Sequence, residues 1–541
     1  MENKRLKLPA GIQTFECIRT EGYIYVDKTK YLAELIKTGK IYFLSRPRRF
    51  GKSLTISTFD ALFSGKKELF KGLYAEEFLN RPDFEPSPVI RLDMSDITTD
   101  WGIDAMNESM KLMITMIAER LEVVIKDNIS AGDMFKQLIV NATKKYASKV
   151  VVLIDEYDKP FTDFFDDIEM AEKVREFLRN FYSKLKANEE HIRFIFVTGI
   201  SKFTKMGVFS TLNNITDISP LEKYGNICGF SEKEIMDYFP DYLDETADEL
   251  EISRDELVKK MQKYYNGFCF DTGGKNRLYN PFSTLQFFFS KKFFNFWMGS
   301  GSTSMIAKYL KTQNLTVEQF RNFPVSEDFL TNSVEIDKEK PESFLYQTGY
   351  LSLREGITRE FSLDYPNSEV LNSMSSLISQ NLLDDNNDNF AYCSNDLLKG
   401  LMTLNCETVV SVLNRLLAST PYDDFTPAAK KNISDNDYSI KPQEWLYRST
   451  ILAFLRGCGV VVFAEMHTNL GRADLVVSHK GKTWIIELKV AYEGENPAKK
   501  AEEALQQIID RNYAAPYPDA FCVGMVIDDT VRSITDVVTK N

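Results

Sequence analysis

Arg46-Pro47-Arg48-Arg49-Phe50-Gly51-Lys52-Ser53 follows the apolar run Ile41-Tyr42-Phe43-Leu44 and precedes a helical stretch from Leu54 to Phe63. A buried strand, a tight loop and a helix in that order let backbone N–H groups wrap a phosphate at the helix N-terminus. The lysine then reaches the β/γ-phosphates and the serine hydroxyl binds Mg2+. Arg46 stands where the G-x-x-x-x-G-K-S pattern has its first glycine, so the loop is entered in a conformation that accepts a side chain. A second strand, Val150-Val151-Val152-Leu153-Ile154, ends in Asp155 and Glu156, the first suited to hold Mg2+ through water and the second to polarise an attacking water. A third, Phe194 to Gly199, ends in Thr198 with Ser201 just beyond, both suited to sense a γ-phosphate. Lys202, Lys205, Arg48 and Arg49 are either phosphate contacts or solvated charges.

Outward from this loop, short β-branched runs (Ile41 to Leu44, Val89 to Leu92, Val150 to Ile154, Phe194 to Val197) alternate with longer amphipathic segments. That alternation predicts an α/β fold with a parallel sheet buried on both faces. Ser231 to Glu234 and Ser253 to Glu256 read as helix starts, so 229–280 is expected to be a helical lid on a core spanning 1–228. Residues 281–385 form a mixed, aromatic-rich middle region. Phe287-Phe288-Phe289, Phe293-Phe294 and Phe296-Trp297 read as packed core, because nothing basic interleaves with them. Asp384 to Asn389 is expected to be a linker or exposed loop before an α/β C-terminal domain, 386–541, whose last strand is Phe521 to Ile527.

With 541 residues the chain exceeds what one core serves, and two to four domains are expected. A net charge of −12 argues against a uniformly nucleic-acid-coating surface and confines any such contact to a local groove. The seven cysteines are scattered singly, as reduced cytoplasmic thiols would be, and structural zinc is not expected. Met1 to Lys7 lacks an apolar leader and no long apolar run follows, so a cytoplasmic protein without membrane contact is expected.

The C-terminal domain carries a second chemistry. Cleaving a phosphodiester with Mg2+ requires oxygen ligands for the metal and a nearby cation that orients water and offsets developing charge. Asp474 and Glu487 provide the first and Lys489 the second. Strand side chains alternate, so Glu487 and Lys489 share a face while Leu488 enters the core. Gly471-Arg472-Ala473 reads as a turn leading into a strand at Asp474, and a hairpin through Ser478 to Lys482 would join the three residues. Glu444 is a further candidate ligand, on a helix with Tyr447 and Arg448, and Gln507 a candidate contact to scissile-strand phosphate. His467 reads as a loop residue near Asp474.

Taken together, the chain resembles a family of bacterial proteins that join an AAA-ATPase-like domain to a C-terminal nuclease domain of the PD-(D/E)XK superfamily. The likeness is carried by Leu8 to Ile12 with Tyr25 to Thr29, Arg46 to Ser53, Leu153 to Asp158 and Thr198 to Phe203. It continues through Tyr265 to Phe268, Gln347 to Leu351, Tyr365 to Val370, Gly471 to Asp474 and Glu487 to Lys489. The arginine-rich loop without its first glycine is usual there. The resemblance implies Asp474, Glu487 and Lys489 as the nuclease signature with Glu444 and Gln507 as auxiliaries, and Lys52, Ser53, Asp155 and Glu156 as the nucleotide site. Ala473 replaces the superfamily's proline, a backbone feature and not a ligand. An ATP-regulated, Mg2+-dependent endonuclease acting on DNA is therefore expected, with a homo-oligomer inferred by analogy. A nucleotide-gated signalling or assembly ATPase, whose nuclease-like domain only binds nucleic acid or protein, is the alternative. A purely structural terminal domain fits least, since like charges on one face repel without a metal.

Overall fold

The computed structural model describes residues 5–99, 101–164, 167–200, 214–300, 306–307, 310, 316–326, 329, 341–355, 361–383, 387–420, 442–468 and 471–540. The chain divides into two compact units, one of Met1–Ser302 with Asn322–Glu369 and one of Thr303–Arg321 with Val370–Asn541.

In the first unit, β1 (Ile41–Ser45), β2 (Val89–Asp93), β3 (Val150–Asp155), β4 (Ile192–Gly199) and β5 (Thr216–Asp217) form a parallel sheet in the order β2-β3-β4-β1-β5. The continuous apolar runs arise because both faces are covered. Ile41, Phe43, Val150, Val152, Ile154, Ile195 and Val197 share a core with the helices Gly102–Arg120, Ala131–Tyr146 and Ile168–Ala187. On the opposite face Phe59 of the Lys52–Phe63 helix meets Phe194 and Phe196, with ring centroids 5.3 and 4.7 Å apart. Pairing of Leu44 with Thr198 and of Ile154 with Val197 brings the ends of β1, β3 and β4 to one edge of the sheet, where open parallel sheets bind ligands.

Beyond the sheet, helices Glu232–Tyr238, Pro240–Glu249 and Arg254–Tyr265 pack through Ile235, Phe239, Leu243, Leu257 and Met261 onto Phe287 and Phe288. Ser231 and Glu234 form a reciprocal capping box, and Ser253 accepts the Glu256 N–H. The aromatic run is thus core at Phe287 and Phe288, whereas Phe289 is 76% exposed. A small antiparallel sheet, β6 (Phe323–Val325), β7 (Ser352–Glu355) and β8 (Phe361–Asp364), completes the unit.

The second unit holds a five-stranded mixed sheet, β9 (Val461–Thr468), β10 (Gly471–His479), β11 (Lys482–Ala491), β12 (Phe521–Asp528) and β13 (Ser533–Lys540), in the order β13-β12-β11-β10-β9. β11 and β12 are parallel, with the Pro497–Asp510 helix as their crossover, and the other pairs are antiparallel. One face, including Leu475, Trp484, Ile486 and Leu488, packs on the helices Asn387–Thr403, Cys406–Ser419 and Pro442–Gly457. The other, including Val476 and Ile485, packs on Leu505 and Ile508 of the crossover helix.

Four readings of the sequence change here. Gly471–Ala473 belong to β10 and are not a turn, because β9 pairs with them from Thr468 to Met466. His467 lies in β9 and not in a loop. Asn387 to Asn389 open a helix, residues 384–386 lying outside the described set. β13 follows the strand expected to be last; as an edge strand whose apolar residues are interrupted by Thr535 and Asp536, it lacks the unbroken apolar run that marks β12. All seven cysteines are free thiols, and among the described residues no helix is long and apolar enough to cross a membrane.

Candidate functional site

In the first unit Gly51, at a φ of 102°, turns the chain into the Lys52–Phe63 helix, a conformation that favours glycine. Lys52 is buried and donates to the carbonyls of Arg46 and Pro47 at 2.9 and 3.0 Å. Burial lowers its pKa, opposed by Glu156, Asp155 and Asp158. Thr198 Oγ1 donates to Asp155 Oδ1 at 2.5 Å, and the Glu156 N–H donates to the same oxygen at 3.1 Å. Glu156 sits at a φ of 47°; burial raises its pKa while Lys52 and Arg48 lower it. The adjacent acids therefore lie in the field of the loop's own cations.

Arg46, expected to serve the phosphate loop, turns its side chain inward. Its guanidinium donates to the carbonyls of Ser45, Ser219 and Tyr224 and lies 4.9 Å from the Phe270 ring centroid. It takes up the place left by the first glycine by filling the interior. Phe50 is buried against Phe268 and Phe270, and Arg49 covers the Phe282 ring at 3.9 Å. Pro47 is buried, and Arg48, Ser53 and Leu54 are half-buried. Ser201, Lys202 and Lys205 lie outside the described residues.

What holds this loop in place was not read from the sequence. Gly349, at a φ of 83°, abuts Pro47 so closely that an added Cβ would stand 2.6 Å from the Pro47 ring. Gly267 likewise presses on the carbonyl of Pro366, and Asn367 donates to the carbonyl of Asn266 at 2.8 Å. The Tyr265–Phe268, Gln347–Leu351 and Tyr365–Asn367 stretches thus form a packed seat behind the phosphate loop; the glycines, both at positive φ, were the available signal.

The second unit gathers the other candidates. The β10–β11 ladder runs to Leu475 and Ile486, and side chains take over its bonding beyond them. Asp474 Oδ2 accepts the Leu488 N–H at 2.9 Å, and the Asp474 N–H donates to Glu487 Oε2 at 3.4 Å. Gln507 of the crossover helix bridges Glu487 and Lys489. Its Nε2 donates to Glu487 Oε1, and its Oε1 accepts from Lys489 Nζ at 3.1 Å. Arg448 stands 3.5 Å from Asp474 Oδ1. Burial, then Asp474, pushes the Glu487 carboxyl up to about 8; burial also raises Asp474, and burial with Asp474 raises Glu444. Acids crowded in this way favour a neutralising cation. Among the described residues no three His, Cys, Asp or Glu side chains are already drawn into a metal-binding group. Mg2+ needs only one or two carboxylates with its remaining sites filled by water, so the Asp474–Glu487 donor pair fits it.

Gly524, opposite Glu487 in β12, was also missed. A Cβ there would lie 2.4 Å from the Ala501 carbonyl and 2.6 Å from the Leu505 nitrogen, so the glycine lets the crossover helix approach closely enough for Gln507 to reach its partners. A glycine inside the apolar run Phe521–Met525 was its sign in the sequence.

A parallel-sheet phosphate-loop domain in the same chain as a mixed-sheet domain bearing an acid, acid and lysine site defines a class of two-part proteins. Residues 9–209 match the model of a predicted AAA-ATPase, and residues 442–536 that of the PD-(D/E)XK nuclease superfamily. An uncharacterized protein encoded in the vnfD 5' region of Azotobacter chroococcum mcd 1 is 32% identical over 524 residues, 95% of this chain and 94% of that one. The chain belongs to the same family, bacterial proteins with an AAA-ATPase-like domain and a C-terminal PD-(D/E)XK nuclease superfamily domain. Solved structures with some likeness include the Aeropyrum pernix ORC2 protein in ADPNP-ADP complexes, at 12% identity and a TM-score of 0.30, covering 68% of this chain and 98% of that one. The Aeropyrum pernix ORC1 protein in complex with DNA aligns at 11% identity and a TM-score of 0.23, covering 64% and 91%.

Proposed function

We propose that the chain binds and hydrolyses ATP with Mg2+ in its first unit and cuts phosphodiester bonds, DNA foremost, in its second, nucleotide state regulating access to the cutting site. The observation that carries this reading is the junction where β10 and β11 part, with Asp474, Glu487 and Lys489 tied together by Leu488 and Gln507. Asp474 and Glu487 would hold Mg2+, with Glu444 at the margin. When bound, the ion supplies Lewis-acid polarisation of a phosphoryl oxygen and a more acidic water. Lys489, fixed by Gln507, orients that water and offsets charge growing on the phosphate. Gln507 keeps the lysine and Glu487 in one geometry.

At the nucleotide site, Lys52 would exchange the Arg46 and Pro47 carbonyls for phosphate oxygens, while Ser53 and Asp155 would hold the ion. Glu156 would orient water, and Thr198, already bonded to Asp155, would report the γ-phosphate. Phosphate binding by Arg46 would use its backbone, since the side chain is engaged elsewhere. Ser201 is proposed as a second γ-phosphate contact.

The test incubates the purified full chain with DNA and RNA, with and without Mg2+ and ATP, beside Lys52→Ala and Lys489→Ala. Lys489→Ala is expected to reduce cutting by about 10²-fold or more while retaining ATP binding; Lys52→Ala should lose nucleotide binding. Cutting by Lys489→Ala at the wild-type rate would refute the assignment. Wild-type protein that binds nucleic acid and changes oligomeric state with ATP, yet cuts nothing, would establish the signalling or assembly reading.

A further inference from the structure

Arg448 sits one helical turn after Glu444 on the Pro442–Gly457 helix, and its guanidinium is 3.5 Å from Asp474 Oδ1, with 12% and 18% of the two side chains exposed. The Leu488 N–H occupies Asp474 Oδ2, so Arg448 meets the other carboxylate oxygen, Oδ1. A divalent ion on that oxygen and a guanidinium beside it repel, and the arginine, charged at every working pH, cannot yield by losing its proton. It must move. The helix beneath it stays anchored, since the neighbouring Tyr447 donates to Asp529 at 2.9 Å.

We propose that Arg448 is an exchangeable counter-ion: it neutralises Asp474 in the metal-free protein, gives that carboxylate up to the divalent cation, and then binds a non-bridging oxygen of the phosphodiester. This rests on the nuclease reading and extends it to the recognition of substrate. Lys489 is already held by Gln507 for one task, whereas a planar, fork-shaped donor released beside the acids matches the geometry of a phosphate. Lysine in its place would keep the counter-charge and lose the fork.

The experiment titrates Mg2+ and Ca2+ by calorimetry into full-length wild type, Arg448→Ala and Arg448→Lys at pH 9, above the value of about 8 to which Glu487 is pushed. It then measures Mg2+-dependent cleavage of DNA by the same proteins. Removing the competing charge is expected to tighten metal binding in Arg448→Ala by about threefold to tenfold. Its kcat/KM should fall on the order of 10²-fold. Arg448→Lys should restore wild-type metal affinity without restoring cleavage, a split that loss of folding cannot produce. Unchanged or weaker metal binding in Arg448→Ala overturns the counter-ion role, and tighter binding with unimpaired cleavage overturns the phosphate role. If wild type binds metal but does not cut, the nuclease reading itself fails, and the phosphate role falls with it.

Discussion

Replacing Gly349 by alanine tests whether the seat behind the phosphate loop sets nucleotide affinity. Two costs arise. The first is conformational: at a φ of 83° an alanine is strained by about 1–2 kcal/mol. The second is steric: the new Cβ would lie 2.6 and 2.8 Å from two ring carbons of Pro47 and 3.0 Å from Trp297, so to regain a 3.4 Å contact Pro47 must retreat by 3.4 − 2.6 = 0.8 Å. Overpacking of this kind costs a further 1–3 kcal/mol or so. Gly72 supplies the control, having a φ of 78° with nothing within 4 Å of its added Cβ, so Gly72→Ala pays only the first cost. Because the Pro47 carbonyl also accepts from Lys52 at 3.0 Å, moving Pro47 shifts the lysine. A fluorescent ATP analogue titrated into each variant should show Gly349→Ala weakened by about tenfold or more, with Gly72→Ala at the wild-type value. Thermal unfolding should rank Gly349→Ala below Gly72→Ala. Equal affinity and equal stability for the two variants would refute the proposed seat.

Glu369, fully buried with its Oε1 accepting the Trp297 N–H at 2.9 Å, has its pKa raised from 4.5 to about 8 by burial. A carboxyl whose folded value is raised stabilises below the unfolded pKa and loses that contribution as pH climbs through the folded one. Wild type should therefore lose about 3–4 kcal/mol between pH 5 and pH 8 that Glu369→Gln retains, read from pH-dependent melts; parallel curves would exclude it. Gly524→Ala, which would force the crossover helix away from β12, is expected to lower cleavage at least about tenfold with nucleotide binding unchanged, and full cleavage would show that Gln507 is not positioned this way. Mg2+ binding at pH 7 should release about one proton per ion, because Glu487 is pushed up to about 8 and must ionise to act as a ligand. Calorimetry in buffers of different ionisation enthalpy measures that release, and none in wild type would remove Glu487 from the metal site.

The candidate residues of both sites were legible because they are local in sequence. Val150–Asp155 is wholly buried, as its apolar run requires of a central strand, and its first acid, Asp155, stands at the strand's end. Glu487-Leu488-Lys489 separates by strict alternation, Leu488 entering one core while its neighbours face the crossover helix. What supports those residues is not local. Gly349 and Pro47, or Gly524 and Ala501, meet only after folding, and no period or spacing connects them. Arg46 illustrates the difference: judged by its loop it belongs to phosphate, yet buried among Ser219, Tyr224 and Phe270 its charge is spent on carbonyls. Composition favours phosphate contact for any arginine in such a loop, but burial decides the matter, since a guanidinium removed from water must satisfy its donors nearby. The same reasoning separates Arg46 from Arg448. One is held by several neutral acceptors that no incoming ion displaces, and the other stands against the Asp474 carboxylate, which a divalent cation can claim.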